Sequence, residues 1–152
     1  MTVRGNDKYC WRYELRLKTF PVSTSPSTSD ECFGAAFGQE VTPFDYQARL
    51  AGGNEGTACE SKLINIPTGC GKTAAVVLAW LWNRVALGRA DWPRRLVYCL
   101  PMRALVEQTR ENVEAWLEKL NYTNKVGVDI LMGGEEKTDW DIYPERESSL
   151  TE

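Results

Sequence analysis

Nine residues, "NIPTGCGKT" from Asn65 to Thr73, set two glycines, a lysine and a threonine between two apolar stretches, "SKLINIP" (61–67) and "AAVVLAWLW" (Ala74–Trp82). Read as a strand ending at Ile66 and a helix beginning near Lys72, this is a turn whose backbone N–H groups point inward, with Gly69 and Gly71 giving the chain the freedom to make it. The helix that follows adds the positive end of its macrodipole, so successive amides can cradle phosphate oxygens. Lys72 would reach the β- and γ-phosphates as a compact charge, and the Thr73 hydroxyl would be a ligand of Mg²⁺. Thr68, Gly69, Cys70, Gly71, Lys72 and Thr73 are therefore the candidate nucleotide-binding residues, with ATP and Mg²⁺ as the cofactors. The plainer alternative is a glycine turn that only joins two elements.

The surrounding punctuation suits that reading. "TPFDYQARLAGG" offers Thr42 as N-cap, Pro43 at the first helical position, Asp45 in the first turn and Gly52 as a stop, which predicts a short helix. "KTAAVVLAWLWNRVALG" is apolar on most of its circumference, as a helix lying on a sheet would be. "RRLVYCLP" is a continuous apolar strand of the kind found inside parallel sheets. "RALVEQTRENVEAWLEKL" carries a helical stripe of Leu105, Val106, Val113, Trp116, Leu117 and Leu120, and "KVGVDILMGG" reads as a further strand. Strands and helices alternating in ~30-residue units predict right-handed βαβ crossovers and a parallel sheet with flanking helices.

The first forty residues differ. Tyr9, Trp11, Tyr13, Leu15 and Leu17 alternate as in a half-buried strand, but "PVSTSPSTSD" (Pro21–Asp30) has the composition of a linker. Residues 1–40 are thus expected to be an extension and 41–152 the main unit. With 152 residues and 43% apolar composition the chain has enough for one packed core. Its net charge of -3 implies no general basic surface, so contact with nucleic acid has to come from local geometry. Five scattered cysteines without a CxxC pair exclude a disulfide framework and a zinc site, and point to thiols in a reducing cytoplasm. There is no histidine, so no histidine-based metal nuclease centre is encoded here. The longest apolar run is far short of a membrane span, and no membrane partner is expected.

The strict phosphate-loop pattern has a glycine where Ile66 stands. "PTGCGKT" resembles instead the first motif of superfamily 2 helicases. "FDYQARLA", ahead of the loop, is similar to the adenine-reading Q motif of that superfamily, with Gln47 offering the acceptor and donors that match an adenine edge. Otherwise Gln47 is an ordinary solvent-facing helix residue. "YCLPMRALVEQT" (Tyr98–Thr109) resembles motif Ia, in which a helix start and a cation, here Arg103, hold phosphates of single-stranded DNA. A β-to-α junction with one arginine is also common in α/β proteins.

Taken in order with "LMGGEEKTDWDIYP", these stretches resemble the CRISPR-associated helicase of type I interference systems, over roughly Phe44 to Pro144. The resemblance implies a partial RecA-like lobe of an ATP-driven motor that translocates on and unwinds DNA after an RNA-guided surveillance complex has opened the target. It also implies remaining helicase lobes and a nuclease part as partners. The sequence has no DExH motif, which implies a lobe truncated before its catalytic carboxylate, with no catalytic residue in this fragment and no turnover alone. Glu135, Glu136, Asp139 and Asp141 read as a solvated loop. Such a lobe is expected to leave an open edge on the strand "KVGVDILMGG" and the helix face at Val113, Trp116 and Leu120 without partners. Two other readings remain: a non-catalytic remnant that docks on the RNA-guided complex, and a phosphate-loop NTPase of another kind.

Overall fold

Leu15 and Leu17 alternate with Arg16 at the N-terminal end of the chain, and in the computed structural model they point into the core at 0% and 2% exposure. The structure describes residues 11–17, 26–38 and 41–131. Strand β1 (Trp11–Leu17) lies at the centre of a three-stranded sheet of order β2-β1-β3, where β2 is Arg95–Leu100 and β3 is Val126–Leu131. Leu15 faces Leu96 on one side and Val128 on the other. Both ladders are antiparallel, which corrects the expected parallel sheet. The physical reason is that a βαβ crossover fixes the direction of its two strands without making them neighbours. Strands β2 and β3, joined by α4 (Arg103–Lys119), do run the same way, but β1 occupies the place between them. Among the described residues β3 has no ladder on its outer edge, as expected.

The described part of the first forty residues belongs to the same core as the rest. Thr28 caps α1 (Ser29–Phe37) by accepting from the Glu31 amide at 3.0 Å, so the Ser/Thr-rich stretch ends in a helix start. Cys32, Phe33 and Ala36 on α1 are fully buried. Phe37 packs edge-on against Trp116 of α4 with ring centroids 5.9 Å apart. Val113, Trp116 and Leu120 are buried, so the helix face expected to lack partners is covered, in part by this N-terminal helix. Leu105, counted in the same stripe, is 38% exposed.

Helix α2 (Asp45–Ala51) starts after Phe44 rather than Thr42 and stops at Gly52 in the left-handed conformation. Helix α3 (Lys72–Trp80) continues through wider π-type turns over Leu81–Ala86, where the Leu87 amide reaches the Trp82 carbonyl at 2.9 Å. Ala75, Val77, Leu78, Trp80, Leu81 and Trp82 are all sealed, which accounts for the all-round apolar pattern. At the π turns sits a fully buried Asn83 whose side chain donates to the Ala51 and Ala79 carbonyls and accepts from the Thr57 amide, each at 2.9 Å. It locks the end of α2 and the start of the next segment onto α3.

One expected strand is missing. Residues 61–67 have no regular structure and Leu63 is 95% exposed, so the phosphate loop is not entered from a sheet strand. In the order β2-β1-β3 strand β2 has a ladder with β1 alone among the described residues, so its other edge is left without this strand, and the carbonyls at the end of the segment are held by Lys72.

Candidate nucleotide-binding site

The turn at the start of α3 keeps the geometry that its glycines predict. Gly69 and Gly71 have φ of 85° and 73°, a region that L side chains enter only under strain. A Cβ on Gly69 would meet nothing within 4 Å, whereas one on Gly71 would lie 2.9 Å from Gln47 Nε2. Gly69 thus faces open space, and Gly71 is where another element presses against the loop.

That element is α2. Gln47 donates through Nε2 to the Gly71 carbonyl at 3.2 Å and accepts from the Phe44 amide at 2.9 Å, and it is only 5% exposed. It is not a solvent-facing helix residue. Tyr46 donates its hydroxyl to the Cys70 carbonyl, and partial burial raises its pKa, which keeps the phenol protonated as a donor. Phe44 stacks on Tyr46 with centroids 6.2 Å apart at 15°, and its outer face is solvent-exposed. "FDYQ" and "GCGK" are therefore two sides of one site.

The first turn of α3 has no side-chain cap and no acidic residue, so its amides and its dipole are available to an anion. Lys72 Nζ donates to the Ile66 carbonyl at 2.6 Å and to the Pro67 carbonyl at 2.7 Å, folding the ammonium back over its own loop. Thr73 opens the helix with its hydroxyl 3.3 Å from that of Tyr98 on β2. Open space at Gly69, uncapped helix amides and an ammonium held only by carbonyls fit a phosphate group and its metal: Thr68–Lys72 would hold the phosphates and Thr73 the cation.

A family model described as DEAD/DEAH box helicase matches residues 51–148. The chain belongs to the DEAD/DEAH box helicase family. Neither a curated protein nor a solved structure matches it. The match contains the whole loop, so an ATP-binding, helicase-type function follows for this part of the chain. It begins after Tyr46 and Gln47, which meet the loop through the Cys70 and Gly71 carbonyls. Helicases of this family bind ATP with Mg²⁺.

Arg103, the candidate DNA contact, opens α4 and pairs with Glu107 at 2.8 Å, both side chains being half-exposed or more. The α4 start also lacks a side-chain cap and an acidic first turn. It sits at the same end of β2 as Tyr98, which touches Thr73, so the two helix starts are linked through one strand. Sequence reasoning missed Tyr46 and Tyr98. The signal was present: a hydroxyl beside Gln47 in "FDYQ", and one polar tip in the apolar run "LVYCL". Glu135, Glu136, Asp139 and Asp141 lie outside the described residues. Among those described, no helix is long and apolar enough to cross a membrane.

Proposed function

We propose that this DEAD/DEAH box helicase chain is the ATP-binding part of a CRISPR-associated superfamily 2 helicase, serving type I interference by acting on DNA that an RNA-guided complex has opened. The order of "PFDYQ", "IPTGCGKTAAVVLAWLW", "VYCLPMRALVEQT" and "LMGGEEKTDWDIYP" supports the assignment to that system. The single observation that carries the nucleotide part is the closure of Tyr46 and Gln47 on the Cys70 and Gly71 carbonyls, which makes one site from two separate stretches. Bound ATP with Mg²⁺ supplies a phosphoanhydride whose cleavage can drive movement. The chain's own residues hold and orient: the loop amides and Lys72 bind phosphate, Thr73 faces the cation, and Gln47 fixes the loop while keeping one N–H and one lone pair for a base edge.

The DNA part rests on the start of α4. Uncapped amides and Arg103 form a phosphate contact that needs no base recognition, and the remaining helicase lobes and nuclease part would complete the motor. Fluorescence anisotropy of an RNA-guided complex with an opened duplex tests this reading. The chain should bind only when a displaced single strand is present, and Arg103→Ala should weaken that binding and lower its salt slope by about 0.7, as loss of one single-strand phosphate contact does. Binding that ignores the displaced strand would contradict the DNA role.

A further inference from the structure

Strand β3 is an edge without the usual protection. It pairs with β1 from Val126 to Leu131 in one continuous register, and among the described residues nothing pairs with its other side. Edge strands are ordinarily blunted by a lysine, a proline or a bulge. β3 reads "VGVDIL" and has none of these; its one charge, Asp129, lies 4.0 Å from Arg16 of β1. Beside it runs an open groove of about 730 Å³, walled by Val126 and Val128 of β3 and by Glu111, Glu114, Ala115 and Glu118 of α4. Of the described residues none from β1 or β2 lines this groove, so it lies on the outer side of β3. The four α4 positions are exposed and recur at helical spacing along one face. Glu114 is paired with Arg110 at 2.6 Å, whereas among the described residues no ion pair engages Glu111 or Glu118. The groove is apolar at its base and negative along its rim.

We infer that this groove takes an extended basic segment of a partner protein, which adds to the free edge of β3 as a further strand and sets lysine or arginine side chains against Glu111 and Glu118. The backbone of β3 supplies the ladder, which is indifferent to sequence, and the α4 carboxylates supply the selection. The dimensions agree. Glu111 and Glu118 are about 10 Å apart along the helix axis, and side chains on one face of a strand recur about every 7 Å, so successive basic residues on that face can reach the two carboxylates. Their aliphatic stems would lie over Ala115 and Val128 while their charged ends reach the rim. The same charge argues against other occupants. A nucleic-acid backbone is repelled by the carboxylates. A second copy joined edge to edge would bring two negative rims together. The chain's own residues 132–152, which follow β3, carry seven acidic side chains and two basic ones and match the rim in sign.

The inference stands apart from ATP binding and is tested without nucleotide. The probe is a fluorescent peptide alternating threonine and lysine over about ten residues, titrated against the full chain by anisotropy, with a threonine–glutamate peptide as control. The lysine peptide should bind at least tenfold more tightly than the glutamate peptide, and its binding should weaken as salt is raised. Glu111→Gln with Glu118→Gln should cost about fivefold in affinity, as loss of two exposed ion pairs does, with the melting temperature unchanged. Methylating the backbone nitrogens of either all lysines or all threonines removes the donors on one side of the peptide strand, and one of the two sets should abolish binding. Bound peptide should also slow amide exchange within residues 126–131 about tenfold. No binding, equal binding of both peptides, full affinity in the double glutamine variant or in both methylated peptides, or binding without protection of 126–131 overturns the proposal. So does a free chain that dimerises through this edge, or one whose outward amides at 126–131 are already protected as a monomer.

Discussion

Gly71 is the residue on which the two halves of the site meet. Its φ of 73° and the 2.9 Å between a would-be Cβ and Gln47 Nε2 leave no room for a side chain. Gly71→Ala should carry about 1–2 kcal/mol of backbone strain and push α2 off the loop, weakening ATP binding about tenfold or more in a fluorescent-ATP titration. Retained affinity would mean that the α2 contact does not shape the loop. Gln47 and the loop residues were singled out in the sequence because each is a specific residue type at a spacing that suits phosphate and adenine chemistry, and the structure brings Gln47 against the loop at Gly71. The Lys72 contacts were not, because a carbonyl partner leaves no mark on residue identity. Cysteine chemistry gives a second check at this scale. Burial pushes the Cys32 thiol up to about 12 from its ordinary 9.0, while Cys59 is exposed. Peptide-mapped alkylation at neutral pH should label Cys59 rapidly and Cys32 only on unfolding. As pH rises from about 9 towards 12, the unfolded chain ionises Cys32 first, so this thiol's contribution to stability is present below pH 9 and is lost across that window.

Among the elements, α2, α3, α4 and β3 were readable from periodicity and glycine stops. The lack of a strand at 61–67 was not, since its apolar alternation is real but pairing with a sheet edge depends on distant segments that no local pattern encodes, and β2 pairs with β1 alone among the described residues. Nor did the sequence mark Asn83, a polar residue inside an apolar helix that binds α2, α3 and Thr57 together. Asn83→Leu keeps the volume but leaves the Ala51 carbonyl and the Thr57 amide without their partner, and should lower stability by about 3 kcal/mol in urea unfolding. A loss within 0.5 kcal/mol would show that those groups find water instead. The π turns that carry Asn83 are an irregularity of the kind that helix propensity does not forecast.

Across the whole molecule, the described N-terminal residues, 11–17 and 26–38, pack into the same core as the rest: β1 divides β2 from β3, and α1 covers part of α4. The expectation of a separate extension came from a Ser/Thr/Pro composition that turned out to lead into a capped helix, with burial of Leu15, Leu17 and Phe33 on either side of it. The helicase family match over residues 51–148 begins at the end of α2, whose Tyr46 and Gln47 nonetheless contact the loop, so the packed unit reaches further towards the N-terminus than the match. The central claim is that residues 68–73, clasped by Tyr46 and Gln47, bind nucleotide phosphate. Thermal melting of the chain with increasing Mg·ATP tests it most directly, because a ligand of the folded state raises the midpoint in step with its concentration above Kd. The midpoint of the wild type should climb with Mg·ATP and that of Lys72→Ala should stay flat, both starting from the same value without nucleotide; equal climbs, or none in either, would contradict the assignment.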